Sequence, residues 1–207
     1  MRVKSILIGL VLAGMAAFFG CTTGGAFKTF PSAYGGLTDA GFRVPSVPIY
    51  KVDQKFHRQT VPYATEEAPG TIIVDTGAKF LYYVLGDGQA LRYGIGVGKA
   101  GFEWHGTAHV ARKREWPDWS APSAMIVREQ KRGRIIPAHM EGGLMNPLGA
   151  RALYLFNEKG DTGYRLHGSP EWWSIGKAVS AGCIRLMNQD IIDLYDRATI
   201  GTKVIVI

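Results

Sequence analysis

Residues 164–187 read YRLHGSPEWWSIGKAVSAGCIRLM. The stretch contains one histidine, His167, and one cysteine, Cys183, which are 16 residues apart. A cysteine becomes a nucleophile near neutral pH when a base or a cation lies beside its thiol. His167 ends a predicted strand, Tyr164–His167, and the glycine-containing loop after it can fold back. We therefore predict that His167 is the base for a nucleophilic Cys183.

The residues around Cys183 fit this chemistry. Gly182 has no side chain beside the sulfur, which frees backbone amides to point at a developing oxyanion. Arg185 is close enough in sequence to bind a substrate carboxylate. Each residue alone also has a plain structural interpretation. A histidine at a strand end often only makes a hydrogen bond, and a single cysteine often only packs in the hydrophobic core. Arg185 could likewise only hold the loop, so the combination carries the prediction.

The chain on either side is patterned as a mainly β domain. A hydrophobic fraction of 46% is enough for a core, and 27 glycines with 10 prolines favour many turns. β-Branched and aromatic runs, with the hairpin signal Gly86-Asp87-Gly88, predict a meander and then further strands. Besides Tyr164–His167, the predicted strands are Thr71–Asp75, Lys79–Leu85, Gln89–Val97, Thr107–Ala111, Arg151–Phe156 and Lys203–Ile207.

One helix is clear in the sequence, after residue 187. Asn188 is a favourable N-cap, and Asp190 lies in the first turn, where the helix dipole favours an acid. Gly201 lies where a helix C-terminus favours glycine. A single apolar stripe follows at helical spacing and predicts a face buried in the core, formed by Ile191, Leu194, Tyr195 and Ala198.

The first 69 residues differ from this domain. Residues 1–21 are predicted to be a signal segment, with a basic start, an apolar stretch too short to span a membrane, and Gly20-Cys21 at its end. Small residues before a cysteine are similar to a lipoprotein cleavage site, so either Cys21 carries lipid or ordinary cleavage occurs nearby. Residues 22–69 are predicted to be a tether because prolines interrupt them, although Val44–Tyr50 could lie against the main fold.

Charge and cysteine content agree with export. The formal net charge is +7, and removing Arg2 and Lys4 leaves +5 because residues 1–20 contain no acid. An exported basic protein meets anionic wall polymers and lipid headgroups rather than nucleic acid, although the charge could serve solubility alone. With Cys21 lipidated or removed, Cys183 has no intramolecular partner. That indicates a reactive thiol, an intermolecular disulfide or a buried inert cysteine.

Taken together, these motifs resemble the L,D-transpeptidase (YkuD) catalytic domain family, periplasmic type. The resemblance covers about residues 70–207 and rests on His-Gly-Ser, then Ser-x-Gly-Cys-Ile-Arg-Leu, the helix led by asparagine and a final Gly-Thr-x-Val-x-Ile strand. Two subsidiary motifs of the family also match, Pro117-x-Trp119-x-x-Pro122 and Asn146-Pro147-Leu148-Gly149.

The resemblance implies a β-sandwich-like catalytic domain whose substrate is the peptidoglycan stem peptide. Cys183 would attack the bond between meso-diaminopimelate and D-alanine of a tetrapeptide stem and form an acyl-enzyme. An amine would then accept the acyl group, either from a second stem, which gives a 3–3 crosslink, or from an outer-membrane protein. His167 would be the base, and the carbonyl of Gly168 would help to orient it. No cofactor or metal is implied.

The predicted substrate-binding residues are Arg185, Ser180, Gly182 and Trp172. The tryptophans Trp172 and Trp173 fit either a lid over the substrate or anchors for the loop. Many family members have Ser-His-Gly-Cys, whereas this chain has Ala181 at the position of that second histidine. Because the base is the earlier histidine, this difference does not predict inactivity.

Other functions remain open at this stage. Water as acceptor would give an L,D-carboxypeptidase, and another wall cysteine peptidase or a catalytically silent wall-binding lipoprotein would also fit the composition. Gly96-x-Gly98-x-x-Gly101 matches a dinucleotide-binding fingerprint letter by letter, but the next residues do not open a helix. We therefore expect no nucleotide cofactor. Contact with a membrane is expected only through lipid at Cys21.

Overall fold

The computed structural model describes residues 28–99 and 104–207. Most of the regular structure in these residues is strand, as predicted. The strands are β1 (Lys28–Thr29), β2 (Leu37–Asp39), β3 (Phe42–Val44), β4 (Gln59–Pro62), β5 (Ile72–Asp75), β6 (Phe80–Gly86), β7 (Gln89–Gly94), β8 (Val97–Gly98), β9 (Gly106–Glu115), β10 (Trp119–Ser120), β11 (His139–Met140), β12 (Arg151–Asn157), β13 (Gly160–Ser169), β14 (Ala178–Ser180), β15 (Ile184–Met187) and β16 (Lys203–Val206). The helices are α1 (Ser123–Lys131) and α2 (Asn188–Arg197).

Ten of these strands form one sheet, in the order β1-β4-β7-β6-β5-β16-β9-β12-β13-β15. The sheet curls, so that the chain after β7 meets β15. Gly96 and Arg185 exchange backbone hydrogen bonds of 2.9 and 2.8 Å, and β8 pairs with β14 beside them. A side chain at Gly96 would lie 2.8 Å from the carbonyl oxygen of Ser174, so the close approach needs glycine. The sheet therefore wraps round its own core, in agreement with the β-sandwich-like prediction.

The predicted meander and the later strands are confirmed, with changes at their ends. β5, β6 and β7 pair antiparallel in sequence order. The last strand, β16, lies between β5 and β9, parallel to the first and antiparallel to the second. Apolar side chains of these strands and of α2 share one large buried cluster. The C-terminal strand thus joins the meander to the part of the sheet that carries His167.

Helix α2 packs its predicted stripe into this core. Ile191, Leu194 and Ala198 are fully buried, and Tyr195 packs beside them. The end of the helix is held by Lys113, whose ammonium donates to the backbone carbonyls of Tyr195 and Ala198 at 2.6 Å each. A cation at this position also complements the negative end of the helix dipole.

The predicted caps of α2 are wrong. The N-cap residue is Met187, and Asn188 is the first helical residue. Its Oδ1 accepts a 2.9 Å hydrogen bond from the backbone amide of Ala150, a contact across 38 residues that local sequence cannot reveal. Gly201 lies beyond the helix end, in the left-handed region at φ +91°, and turns the chain into β16.

Residues 28–69 lie against the sheet, which differs from the expected tether. β1 and β4 extend the sheet edge next to β7. Tyr34 is buried, accepts a 2.6 Å hydrogen bond from the backbone amide of Arg58 and donates to Asp190 of α2 at 3.2 Å. Arg58 pairs with Asp193 at 2.9 Å. These long-range polar contacts fix the segment to α2. The domain boundary at residue 70 stays a prediction. The predicted signal segment, residues 1–21 with Cys21, lies outside the described residues.

Candidate active site

The two strands that carry the candidate site, β13 and β15, are parallel neighbours in the sheet. Leu166 pairs with Ile184, and His167 pairs with Arg185. Continuing that register by one residue brings Cys183 beside Arg165, whose backbone amide donates a hydrogen bond to the sulfur. Paired residues of neighbouring strands lie on the same face, and so do residues two apart on one strand. The fold therefore brings Cys183 and His167 to adjacent strands on one face, as the sequence predicts.

The orientation of His167 is fixed by its neighbour in the chain. The ring is buried, and its Nδ1 lies 2.6 Å from the carbonyl oxygen of Gly168. A carbonyl oxygen can only accept a hydrogen bond, so Nδ1 carries the proton in the neutral ring. Nε2 then has a free lone pair and is the atom that can take a proton from a thiol.

The electrostatics favour a neutral thiol and a neutral imidazole. Burial lowers the pKa of His167 to about 4, Arg185 and Arg165 lower that pKa further, and the Gly168 carbonyl opposes them. Burial also raises the pKa of Cys183, an effect opposed by the Arg165 amide and by the charges of Arg165 and Arg185. A neutral imidazole beside a neutral thiol is suited to general-base action on the thiol and is not half of a preformed ion pair.

This state predicts the pH dependence of thiol alkylation. Because the raised pKa of Cys183 disfavours the thiolate, labelling by iodoacetamide is expected to increase with pH up to a midpoint above the usual thiol range. No plateau is expected between about pH 5 and pH 7, where the imidazole is already neutral. Labelling rates measured by mass spectrometry across this range test it. A rate that is already constant from about pH 5 would instead indicate a thiolate–imidazolium pair.

The turn before Cys183 is shaped by Ser180. Its buried hydroxyl donates to the Cys183 carbonyl at 2.7 Å and accepts from the Gly182 amide at 3.2 Å. Gly182 has φ +126°, a conformation that favours glycine. A small cavity beside this turn is lined by residues that include Gly98, Trp104 and Gly182. Ser180 thus positions the backbone of Cys183, and its predicted contact with substrate stays a prediction.

The other predicted binding residues have protein partners. Arg185 donates to Glu171 at 2.6 Å, while its Nε is buried without a hydrogen-bond partner among the described residues. Trp172 packs in a cluster with Tyr34 and Met187, which makes it an anchor of the loop, whereas Trp173 is 53% exposed. A substrate role for Arg185 or Trp172 stays a prediction. Within the two described ranges, no group of three metal-ligating side chains is assembled.

Comparison with known proteins agrees with this arrangement. The family model described as YkuD, the L,D-transpeptidase catalytic domain, matches residues 69–206. The chain belongs to this family. The probable L,D-transpeptidase ErfK/SrfK of Escherichia coli K12 is 34% identical over 190 residues, which are 87% of this chain and 58% of that protein. The probable L,D-transpeptidase YcfS of the same strain is 35% identical over 155 residues, 72% of this chain and 48% of that protein. The chain thus spans about half the length of these relatives.

A solved structure is also similar. A crystal structure from Brucella melitensis, described as a probable carnitine operon oxidoreductase, is 46% identical to this chain with a TM-score of 0.50. The match covers 77% of this chain and 99% of that one. In the present chain Gly96 bridges to Arg185 and Gly98 pairs with Ser180 of β14, so these two glycines of the apparent dinucleotide fingerprint serve strand pairing.

In this YkuD domain, Gly168 is where β13 touches α2. An added Cβ would overlap Asn188 Oδ1 and lie 2.9 Å from the Ile191 methyl group. Gly168→Ala is therefore expected to lower the free energy of unfolding by about 1–3 kcal/mol, as overpacking does. Gly143→Ala is the matched control, because its Cβ would meet only Phe42, at 3.9 Å. Denaturant unfolding of both variants tests this, and equal losses would contradict it.

Arg165 is a site residue that the sequence analysis missed. It lies two residues before His167 on β13, so the strand period of two places both side chains on one face. Its charge acts on both Cys183 and His167. That spacing was the available signal, but only the pairing of β13 with β15 shows that Arg165 lies beside the cysteine.

Proposed function

We propose that this protein is a peptidoglycan L,D-transpeptidase with Cys183 as its nucleophile. The observation that carries the proposal is the pairing of β13 with β15, which sets Cys183 beside a buried His167 whose Nδ1 is held by Gly168. Membership of the YkuD family supplies the reaction class, and its substrate would be a tetrapeptide stem ending in meso-diaminopimelate and D-alanine.

In the acylation step, Nε2 of His167 takes the thiol proton while the sulfur attacks the carbonyl carbon of diaminopimelate. Backbone amides of the Gly182–Cys183 turn stabilise the oxyanion. The imidazolium then gives its proton to the nitrogen of D-alanine, the amide bond breaks, and a thioester on Cys183 remains. Because burial lowers the pKa of His167 to about 4, the imidazolium is a strong enough acid to protonate that leaving group.

In the second step, an amine attacks the thioester and His167 accepts the proton that this amine loses. The proton returns to sulfur as the C–S bond breaks, so the enzyme is restored. A second stem peptide would give a 3–3 crosslink, and an amine of an outer-membrane protein would give a tether. Water as acceptor would make the same chemistry an L,D-carboxypeptidase.

We further propose that the protein acts outside the cytoplasm, in the periplasm or cell envelope. The basic, apolar start of the chain supports export, and Cys21 is the residue that would carry a lipid anchor. No helix in the described residues is long and apolar enough to cross a membrane.

Incubation with purified sacculi tests the proposed function. Mass spectrometry of the digested muropeptides is expected to show loss of D-alanine from tetrapeptides and new 3–3 linkages, neither of which Cys183→Ala produces. D-Alanine loss without new linkages would assign a carboxypeptidase. Binding to sacculi without any change in muropeptides would assign a silent wall-binding protein and refute the proposal.

A further inference from the structure

A row of charged and aromatic side chains crosses the sheet toward Cys183. Arg112 of β9 pairs with Tyr154 of β12, and Tyr154 pairs with Arg165 of β13. The same row continues to Cys183 beside Arg165. Strands lie about 4.8 Å apart, so Tyr154 is about 10 Å from the nucleophile along this row.

Contacts hold this row in place. The guanidinium carbon of Arg112 lies 3.9 Å from the centre of the Tyr154 ring, and that of Arg165 lies 4.5 Å from it. Asp161 accepts two hydrogen bonds from Arg165, at 2.7 and 2.8 Å. Hydrogen bonding to Arg165 and the nearby charge of Arg112 hold the pKa of Asp161 below its usual range. The two arginines, the tyrosine and the aspartate thus form one cluster.

The cluster contains one more positive than negative charge. The charges of two guanidinium groups act on one carboxylate, and in the described part of the chain Arg112 makes no ion pair. Arg112 is exposed, and the side chain of Asp161 is 42% exposed. Within the described residues Asp161 Oδ2 accepts one hydrogen bond, from Arg165, and a carboxylate oxygen can accept a second. The cluster therefore offers one free cation and one accepting oxygen side by side, which complements a zwitterionic amino acid.

We propose that Arg112 and Asp161 bind the amino-acid end of the diaminopimelate side chain, with its carboxylate against Arg112 and its ammonium against Asp161. Arg165 and Tyr154 are positioning residues that hold the pair. The inference rests on the proposed function, which supplies diaminopimelate as the residue attacked by Cys183.

The dimensions agree with this assignment. Five carbon–carbon bonds of about 1.5 Å separate the attacked carbonyl from the carbon that bears the second amine and carboxylate, so an extended side chain reaches about 6 Å. The sulfur in a near-attack complex adds about 3 Å. The two lengths together are close to two strand spacings, which is the distance from Cys183 to Tyr154 along the row.

Two tetrapeptides provide a sharp test. They differ only at the third residue, which is meso-diaminopimelate in one and L-lysine in the other; lysine keeps the amine at the same carbon and lacks only the carboxylate. For D-alanine release, wild-type kcat/KM is expected to favour the diaminopimelate peptide by about tenfold, the size of one charged hydrogen bond. Arg112→Gln is expected to abolish that preference by slowing only the diaminopimelate peptide, whereas Asp161→Asn slows both. Arg43→Gln, an exposed arginine of β3, is the matched control and is expected to keep wild-type selectivity.

Binding separates failure of this inference from failure of the proposed function. If neither peptide releases D-alanine, the proposed function is refuted. Calorimetric binding of both peptides to Cys183→Ala, with and without Arg112→Gln, then tests the cluster alone, and the same loss of selectivity is expected. Equal rates or affinities for the two peptides in the wild type, or an unchanged preference in Arg112→Gln, would overturn the inference.

Discussion

Replacing Cys183 by serine is expected to reduce D-alanine release by at least about 10³-fold, because an alkoxide is far harder to form than a thiolate. His167 makes the loss severe. Burial lowers its pKa to about 4, so it is a weak base in the folded protein and cannot activate a hydroxyl group. The measurement is D-alanine release from a tetrapeptide, followed with wild type, Cys183→Ser and Cys183→Ala side by side.

The two variants also separate chemistry from folding. Cys183 is half-buried, and its sulfur has only weak polar contacts, a hydrogen bond from the Arg165 amide and a 4.0 Å approach to the Gly163 carbonyl, so neither change is expected to alter thermal unfolding appreciably. Wild-type turnover by Cys183→Ser would remove the cysteine from the mechanism. A variant that is inactive because it is unfolded would be recognised by its lost unfolding transition.

Replacing His167 by glutamine is expected to slow acylation by roughly 10²-fold or more, the usual range for loss of a general base. Glutamine keeps a polar side chain near the Gly168 carbonyl but has no basic nitrogen. Single-turnover acylation, read as the mass of the acyl-enzyme, measures this step directly. His139→Gln on β11, whose histidine is exposed, is the matched control. Unchanged acylation in His167→Gln would identify another base.

The features of the fold that follow from local pattern could be predicted from the sequence. The strand runs around Gly86–Gly88 and the apolar stripe of α2 repeat with the periods of their elements. Helix α1 was missed because it has only nine residues, and their apolar pattern is weak. It also begins directly after Pro122. β4 was missed because it contains only four residues, one of which is Pro62, and it exists through pairing with β7.

The same division applies to the site. Cys183 and His167 could be selected as candidates because each type of side chain has few chemical roles, and their spacing allows the chain to fold back and bring them to adjacent strands. Arg165 required the register between β13 and β15, which is a property of the folded sheet. The partners of Ser180 and Arg185 were equally hidden, since Ser180 hydrogen-bonds within its own turn and Arg185 pairs with Glu171, 14 residues away.

The attachment of residues 28–69 to the sheet limits how far a lipid anchor would let the enzyme travel. Because β1 already belongs to the sheet, seven residues lead from Cys21 to Lys28. A chain spans at most about 3.6 Å per residue, so this connecting segment is no longer than about 25 Å. If Cys21 carries lipid, this segment is short enough to restrict the catalytic domain to the layer of cell wall nearest the membrane that holds the lipid. Acceptors deeper in the wall would then be out of reach, whatever their chemistry.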